Sequence, residues 1–380
     1  MKPARPTLGS IAAMAWLALI AIIGTLAPAL SSSHPFIEHA LDAAGAPIST
    51  TSPFLHHLRP IDIALIIGMA LALIGLFRPT PSPLRRALRA TIPLALCLAI
   101  GAALEMYRPV RLEVFDSHEH ISAGTARATF PLHDFSPNER IAGARLVPPG
   151  AAPPSADGRT FLLGSDGRGQ DVLAQLIHGC RTALLVSLGS ALIAMTIGIT
   201  LGAIMGWFGG WIDTALMRLV EAAMSIPALL VLVVAAGVLP RSIGITILVI
   251  GLITWTDAAR LTRAEFLRLR DQDFIAAARA TGASPWRIIT LHLLPSALPP
   301  LLVEGSFALA AAILFEASLS FLGLGPAEGA SWGRLLAGGL DATGNPLWWI
   351  TVPAGSLIFL TALSLHTMGD TLRHRLSPSR

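Results

Sequence analysis

DFIAAARATGASPWRIITLHLLP, residues 273 to 295, is a moderately polar, arginine-bearing stretch set between two long apolar runs. Locally it reads as two short helices. Asp273 is placed to N-cap an alanine-rich turn, Gly282 to end that turn in a left-handed conformation, and Ser284 followed by Pro285 is an N-cap with proline at the first helical position. Pro295 marks an expected bend back toward the next apolar run, because proline in a first helical turn costs no backbone hydrogen bond. The expected product is a helical hairpin lying outside a membrane.

A membrane is implied by composition. Of 380 residues, 53% are hydrophobic and only 13% charged, too apolar a balance for a soluble domain. The net charge of +4 is carried by arginines clustered in particular loops, a pattern that bears on orientation in a bilayer and gives no nucleic-acid face. Cys97 and Cys180 lie in or beside apolar runs and offer neither a disulfide nor a metal framework. Lys2 is the only lysine, so a G-x-x-x-x-G-K-[ST] nucleotide loop cannot exist in this chain. The chain therefore does not carry its own P-loop ATPase.

Apolar runs long enough to span a bilayer fall near residues 8 to 30, 61 to 77, 90 to 107, 181 to 205, 216 to 238, 242 to 259, 296 to 322 and 348 to 369, which predicts an all-α membrane protein with about eight transmembrane helices. The first run also has the flanks of a signal peptide, but it is longer than the usual ~7–15-residue apolar region. With the N-terminus inside, three arginine-rich segments face the cytoplasm: 78 to 89, 260 to 287, and 373 to 380. Both termini are then cytoplasmic. The expected organisation is a 1–107 region with three spans, a 108–160 extracytoplasmic loop, and a 161–380 core with five spans and a cytoplasmic loop at 260–295. Residues 147 to 158, VPPGAAPPSADG, read as an irregular linker. Residues 163 to 181, LGSDGRGQDVLAQLIHGCR, carry Val172, Leu173, Leu176 and Ile177 at the spacing of an amphipathic helix on the outer surface.

Ionisable residues inside spans are costly and are candidates for function. Glu304 falls about nine residues into its span, roughly 13 Å deep at 1.5 Å per residue, as a pathway-lining carboxylate or a partner for a neighbouring helix. Glu221, Asp257 and Glu316 sit nearer span ends, where snorkelling or capping competes with a path role. In the outer segment, Asp116 to His120 (DSHEH) with His133 and Asp134 has metal-ligand residue types but no H-E-x-x-H spacing and no cysteine support, so a solvated loop is favoured. GWFGGWID, residues 206 to 213, follows a membrane span with no strand before it and reads as a tight turn carrying Trp207 and Trp211 at the interface.

Four segments resemble one family, the permease subunits of binding-protein-dependent ABC importers in the dipeptide, oligopeptide and nickel branch. They are LGSDGRGQDVLAQLIHGCR at 163 to 181, GWFGGWIDTALMRLVEAAMSIPALL at 206 to 230, AAARATG through LLP at 276 to 295, and FEASLSFLGLG at 315 to 325 followed by SWG at 331 to 333. The family's cytoplasmic pattern is Glu-Ala-Ala, three residues, Gly, nine residues, Ile, one residue, Leu-Pro. Ala277, Ala278, Gly282, Leu294 and Pro295 fall on it, while Ala276 replaces the glutamate and His292 the isoleucine.

The resemblance implies a type I importer permease core with an added N-terminal helical hairpin, in a bacterial cytoplasmic (inner) membrane. It makes residues 273 to 295 a coupling element, with Asp273, Ala277, Ala278, Arg279, Gly282, Ser284, Pro285, Leu294 and Pro295 meeting the ATPase. It further implies ABC ATPase subunits that bind ATP and magnesium, a second homologous permease, an extracytoplasmic solute-binding protein, and no catalysis or cofactor in this chain. Import of short peptides or a related small solute is the expected function. Two other classes stay open on residues alone: a membrane metalloenzyme using the outer histidines and acids, and a self-sufficient secondary transporter, for which broken-helix repeats are lacking.

Overall fold

The computed structural model describes residues 7–41, 47–78, 89, 92–94, 96–97, 100–101, 104, 126–152, 159–327, 329–340 and 343–376. Among them, five helices are long and apolar enough to cross a membrane, or six if one bent pair counts as a span. These are α1 (Leu8–Leu30), α4 (Val172–Phe208), α7 (Ile243–Arg270), the helical run Pro285–Phe321, and α11 (Trp348–Leu376), with α5 (Gly210–Met224) and α6 (Ala228–Val238) as the bent pair. The chain divides into two compact units: residues 1–18, 185–319 and 359–380, and residues 19–184 and 320–358.

Three expectations about helices are corrected. The single span expected at 216 to 238 is two helices bent by 75° across Ser225 to Pro227. Pro227 lacks an N–H and restricts Ile226 away from helical dihedrals, so the ladder breaks there. The outer amphipathic helix and the following span are one continuous helix, α4, of 37 residues, about 55 Å long at 1.5 Å per residue. No proline interrupts it, and Gly179 within it lies against the Trp332 indole, where a side chain would collide. Finally, the chain does not bend at Pro295. It passes from α9 (Pro285–Ile288) through a π-helical turn, Ile289–Leu293, into α10 (Leu294–Phe321). Proline cannot donate to the carbonyl four residues back and its ring crowds that carbonyl; the wider π turn directly before it accommodates both.

In the first unit, α4 and α7 pack closely along Gly198, Gly202 and Gly206 of α4, a glycine every fourth residue on one face. Gly198 lies against Trp255 and Ala258, Gly202 against Ala259 and Thr262, and Gly206 against Arg263 and Phe266. Small residues at this spacing let helix backbones approach in a lipid environment, where no hydrophobic driving force separates helix from lipid.

The second unit includes residues 19–184. A short helix α2 (Pro53–His57) leads to α3 (Pro60–Phe77), expected from hydropathy but too short to count among the five long helices. Gly68 of α3 faces Leu94 and Cys97, and Gly101 faces Ile61 and Ala64 of α3. Part of the expected 90 to 107 span lies outside the described residues, as does most of the linker joining it to α3. Hydropathy did not anticipate a three-stranded antiparallel sheet of β1 (Ile37–Leu41), β2 (Pro47–Thr51) and β3 (Ala126–Thr129), in the order β2-β1-β3. Its strands have only four or five residues, too short for a period-2 pattern to stand out. Phe135, Ile141, Ala144, Phe161 and Ala174 form a compact core of their own, which orders a segment that reads as loop.

Candidate functional site

The 273 to 295 stretch folds as a helix, a turn and a second helix. Helix α8 spans Asp273–Ala280, with Gln272 at the N-cap and Asp273 in the first turn. Asp273 therefore does not cap through its side chain as expected; its negative charge sits at the positive end of the helix instead. Gly282 follows with φ +78°, a conformation that strains any side-chain-bearing residue. Ser284 caps α9, its Oγ accepting from the Arg287 N–H at 3.4 Å, with Pro285 at the first helical position.

Packing divides this stretch into an inner and an outer face. Ile275, Ile288, Ile289 and Leu293 are buried with Phe266 and Leu269 of α7 and Ala297 and Leu301 of α10. Ala278 and Leu294 pack against this core, so they shape the hairpin from within. Asp273, Ala277, Arg279, Gly282, Ser284 and Pro285 are exposed, and Pro295 is half-buried. Ala276, at the position of the usual glutamate, is exposed as well. Two residues absent from the sequence-based set stand out: Phe274 is 41% exposed and Trp286 70% exposed. Their signal was present as aromatics in an otherwise polar, alanine-rich segment, and aromatic side chains at a protruding turn are characteristic anchors of protein interfaces.

The hairpin is braced from the end of α4, which is itself tied to α7. Arg279 stacks over the Trp207 ring at 4.8 Å, at the end of α4. Gly209 and Gly210, with φ of 64° and 57°, then turn the chain into α5. Asp213 of α5 pairs with Arg263 of α7 through both oxygens, the Nη2 to Oδ2 distance being 2.6 Å. Arg270 of α7 donates to the Gly206 carbonyl at 3.2 Å. The turn at 206 to 213 thus holds the base of the 273 to 295 element.

The carboxylates chosen as path candidates do not gather. Glu221 is exposed on α5 and pairs with Arg218 at 2.6 Å. Glu304 is half-buried on α10. Glu316 is 3% exposed, twelve residues and about 18 Å further along the same helix. In the segment expected outside the membrane, His133 Nε2 meets Asp171 Oδ1 at 2.8 Å, and the Asp134 carbonyl accepts from Arg159. Asp116 to His120 lie outside the described residues. Among the described residues no three His, Cys, Asp or Glu side chains come together as a metal would require.

Residues 198 to 378 match the family described as "Binding-protein-dependent transport system inner membrane component". A di/tripeptide transport system permease protein of Pseudomonas aeruginosa is 34% identical over 245 residues, covering 64% of this chain and 80% of the relative. A protein of Brucella suis named as a candidate peptide transport system permease is 37% identical over 243 residues, covering 64% and 79%. The chain belongs to the permeases of binding-protein-dependent ABC importers. Among solved structures, a chain of the MetNI methionine ABC transporter in an inward-facing conformation aligns with 54% of this chain and 98% of its own length, at 22% identity and a TM-score of 0.44. The permease is a multi-pass inner-membrane component, and its family works with separate ATPase subunits.

Proposed function

We propose that this permease forms one half of the translocation path of an ATP-driven importer of short peptides, and that residues 273 to 295 dock it onto an ATPase subunit. The peptide assignment rests on the named relatives; the docking assignment rests on one observation. A helix-turn-helix with exposed Phe274 and Trp286 is fixed by a buried core to α7 and α10, so a push on the hairpin is delivered to two long helices at once. In this reading the termini and the hairpin are cytoplasmic, a placement that the arginine-rich segments support. A second permease and an extracytoplasmic solute-binding protein complete the assembly, and the chain itself catalyses nothing and binds no cofactor, ATP and magnesium being held by the ATPase subunits. Glu304, half-buried on α10, is preferred as a path residue over Glu221, which is exposed and already engaged by Arg218.

Two substitutions test the docking role. Gly282→Val strains the left-handed turn, and Trp286→Ala removes the most exposed aromatic of the hairpin. Each is expected to lower ATP-driven uptake and co-purification of the ATPase subunits by tenfold or more, with the amount of permease in the membrane unchanged. Uptake and co-purification both at wild-type level would sink the assignment. Ala276→Glu addresses the missing glutamate. Because Ala276 is exposed, its replacement should move stability by no more than about 0.5 kcal/mol in thermal melts. Co-purification should hold or rise; a loss would mean that the docking surface rejects a charge at this position.

A further inference from the structure

We propose that a cavity in the second unit receives the free C-terminal carboxylate of a short peptide; this rests on the peptide-import reading above. The cavity has a volume of about 710 Å³, within the range of small-molecule sites. Arg59, Arg140, Arg168 and Arg334 line it. Among the described residues its one acidic lining group is Asp166, and that carboxylate is engaged from within. Its Oδ1 accepts from the Arg168 and Gln170 N–H groups at 2.8 and 2.9 Å, and its Oδ2 from Gln175 Nε2 at 3.0 Å.

The arginines have distinct parts. Arg334 donates to the Pro326 and Gly329 carbonyls at 2.7 and 2.8 Å and so builds the wall. Arg59 sits at the N-cap of α3 and also lines a smaller adjoining cavity of about 80 Å³, which brings the N-terminal region into the site. Arg140 and Arg168 are exposed at the cavity and are the groups placed to meet a ligand. A guanidinium presents two parallel donors that match both oxygens of a carboxylate. With Asp166 engaged from within, the exposed guanidinium groups of Arg140 and Arg168 make the acid end of a peptide the end recognised. A concave space of ligand size, walled by segments around residues 59, 140, 168 and 334, favours a small molecule over the acidic surface of a partner protein.

The test uses the full importer complex in lipid nanodiscs, with labelled trialanine and trialanine amide measured by equilibrium dialysis in the absence of the solute-binding protein. Trialanine is expected to bind wild type about tenfold more tightly than its amide, and the Arg140→Gln/Arg168→Gln variant to lose that preference while melting at the wild-type temperature. Equal binding of acid and amide by wild type, no binding of the acid, or an undiminished preference in the variant would each overturn the proposal. So would loss of solute-binding-protein affinity in the variant with trialanine binding intact, which would mark a protein-docking surface. ATP-driven uptake of trialanine by the wild-type complex reports separately on the importer reading. Uptake with an undiminished preference in the variant defeats the cavity alone, whereas absence of uptake for every short peptide defeats the peptide assignment.

Discussion

Replacing Gly202 by leucine is expected to force α4 and α7 apart and to cost about 3 kcal/mol or more. A carbon added at Gly202 would lie 2.5 Å from both the Ala259 carbonyl oxygen and the Thr262 Cβ. Neither atom is the end of a flexible side chain, so the clash is relieved only by moving a helix. Gly202 is the middle of three glycines on one face, and separating the helices there also loosens the contacts at Gly198 and Gly206. Those contacts adjoin the core under the 273 to 295 hairpin through Ala203 and Phe266, so uptake should fall with stability. Gly237→Leu is the control, since nothing lies within 4 Å of that position, and it should shift stability by less than about 0.5 kcal/mol. Thermal melting of the purified permease decides the matter: if both leucine variants melt alike, the close helix contact is not where the stability resides.

The second large effect is expected at a buried ion pair. Arg181 of α4 meets Asp62 of α3 with Nη2 2.6 Å from Oδ1, both side chains almost wholly removed from solvent. Asp62 Oδ2 also accepts from the Arg59 N–H at 2.9 Å, which caps α3. Arg181→Met leaves a buried carboxylate without its counter-charge, a change that costs about 3–5 kcal/mol. Adding Asp62→Asn keeps an acceptor for the cap and removes the uncompensated charge, so the double variant should recover most of the loss. Cys180, buried next to Arg181, supplies the readout. In a Cys97→Ser background, its labelling by a thiol reagent should accelerate in Arg181→Met and slow again in the double variant. Equal labelling rates in all three proteins would mean that this pair does not hold α3 to α4.

The same pair shows where reading a sequence stops. Asp62 lies three residues after Arg59 at the start of an apolar run, and Arg181 lies at the end of a motif far along the chain. Nothing in their spacing joins them. The glycines of α4 are similar: GITLGAIMG, residues 198 to 206, is plain in the sequence, but its partners on α7 are more than fifty residues away. The small sheet and the buried core around Phe135 and Phe161 were illegible because their strands are short and their apolar residues are scattered through polar, proline-rich chain. By contrast, Gly282, Ser284 and Pro285 act through their own backbone geometry, and their placement was legible without any partner.

Composition and local chemistry alone therefore established a helical membrane protein, the absence of a lysine-bearing nucleotide loop, and a helix-turn-helix between two apolar runs, since each depends on residues near one another or on totals. Tertiary structure decided what that hairpin offers a partner. It turned Ala278 and Leu294 inward, left Phe274 and Trp286 outward, and carried α9 through a π turn into α10 where a bend at Pro295 was expected. Which face of a short helix is buried depends on what packs against it, and here that is α7 and α10, whose contacts no local pattern records.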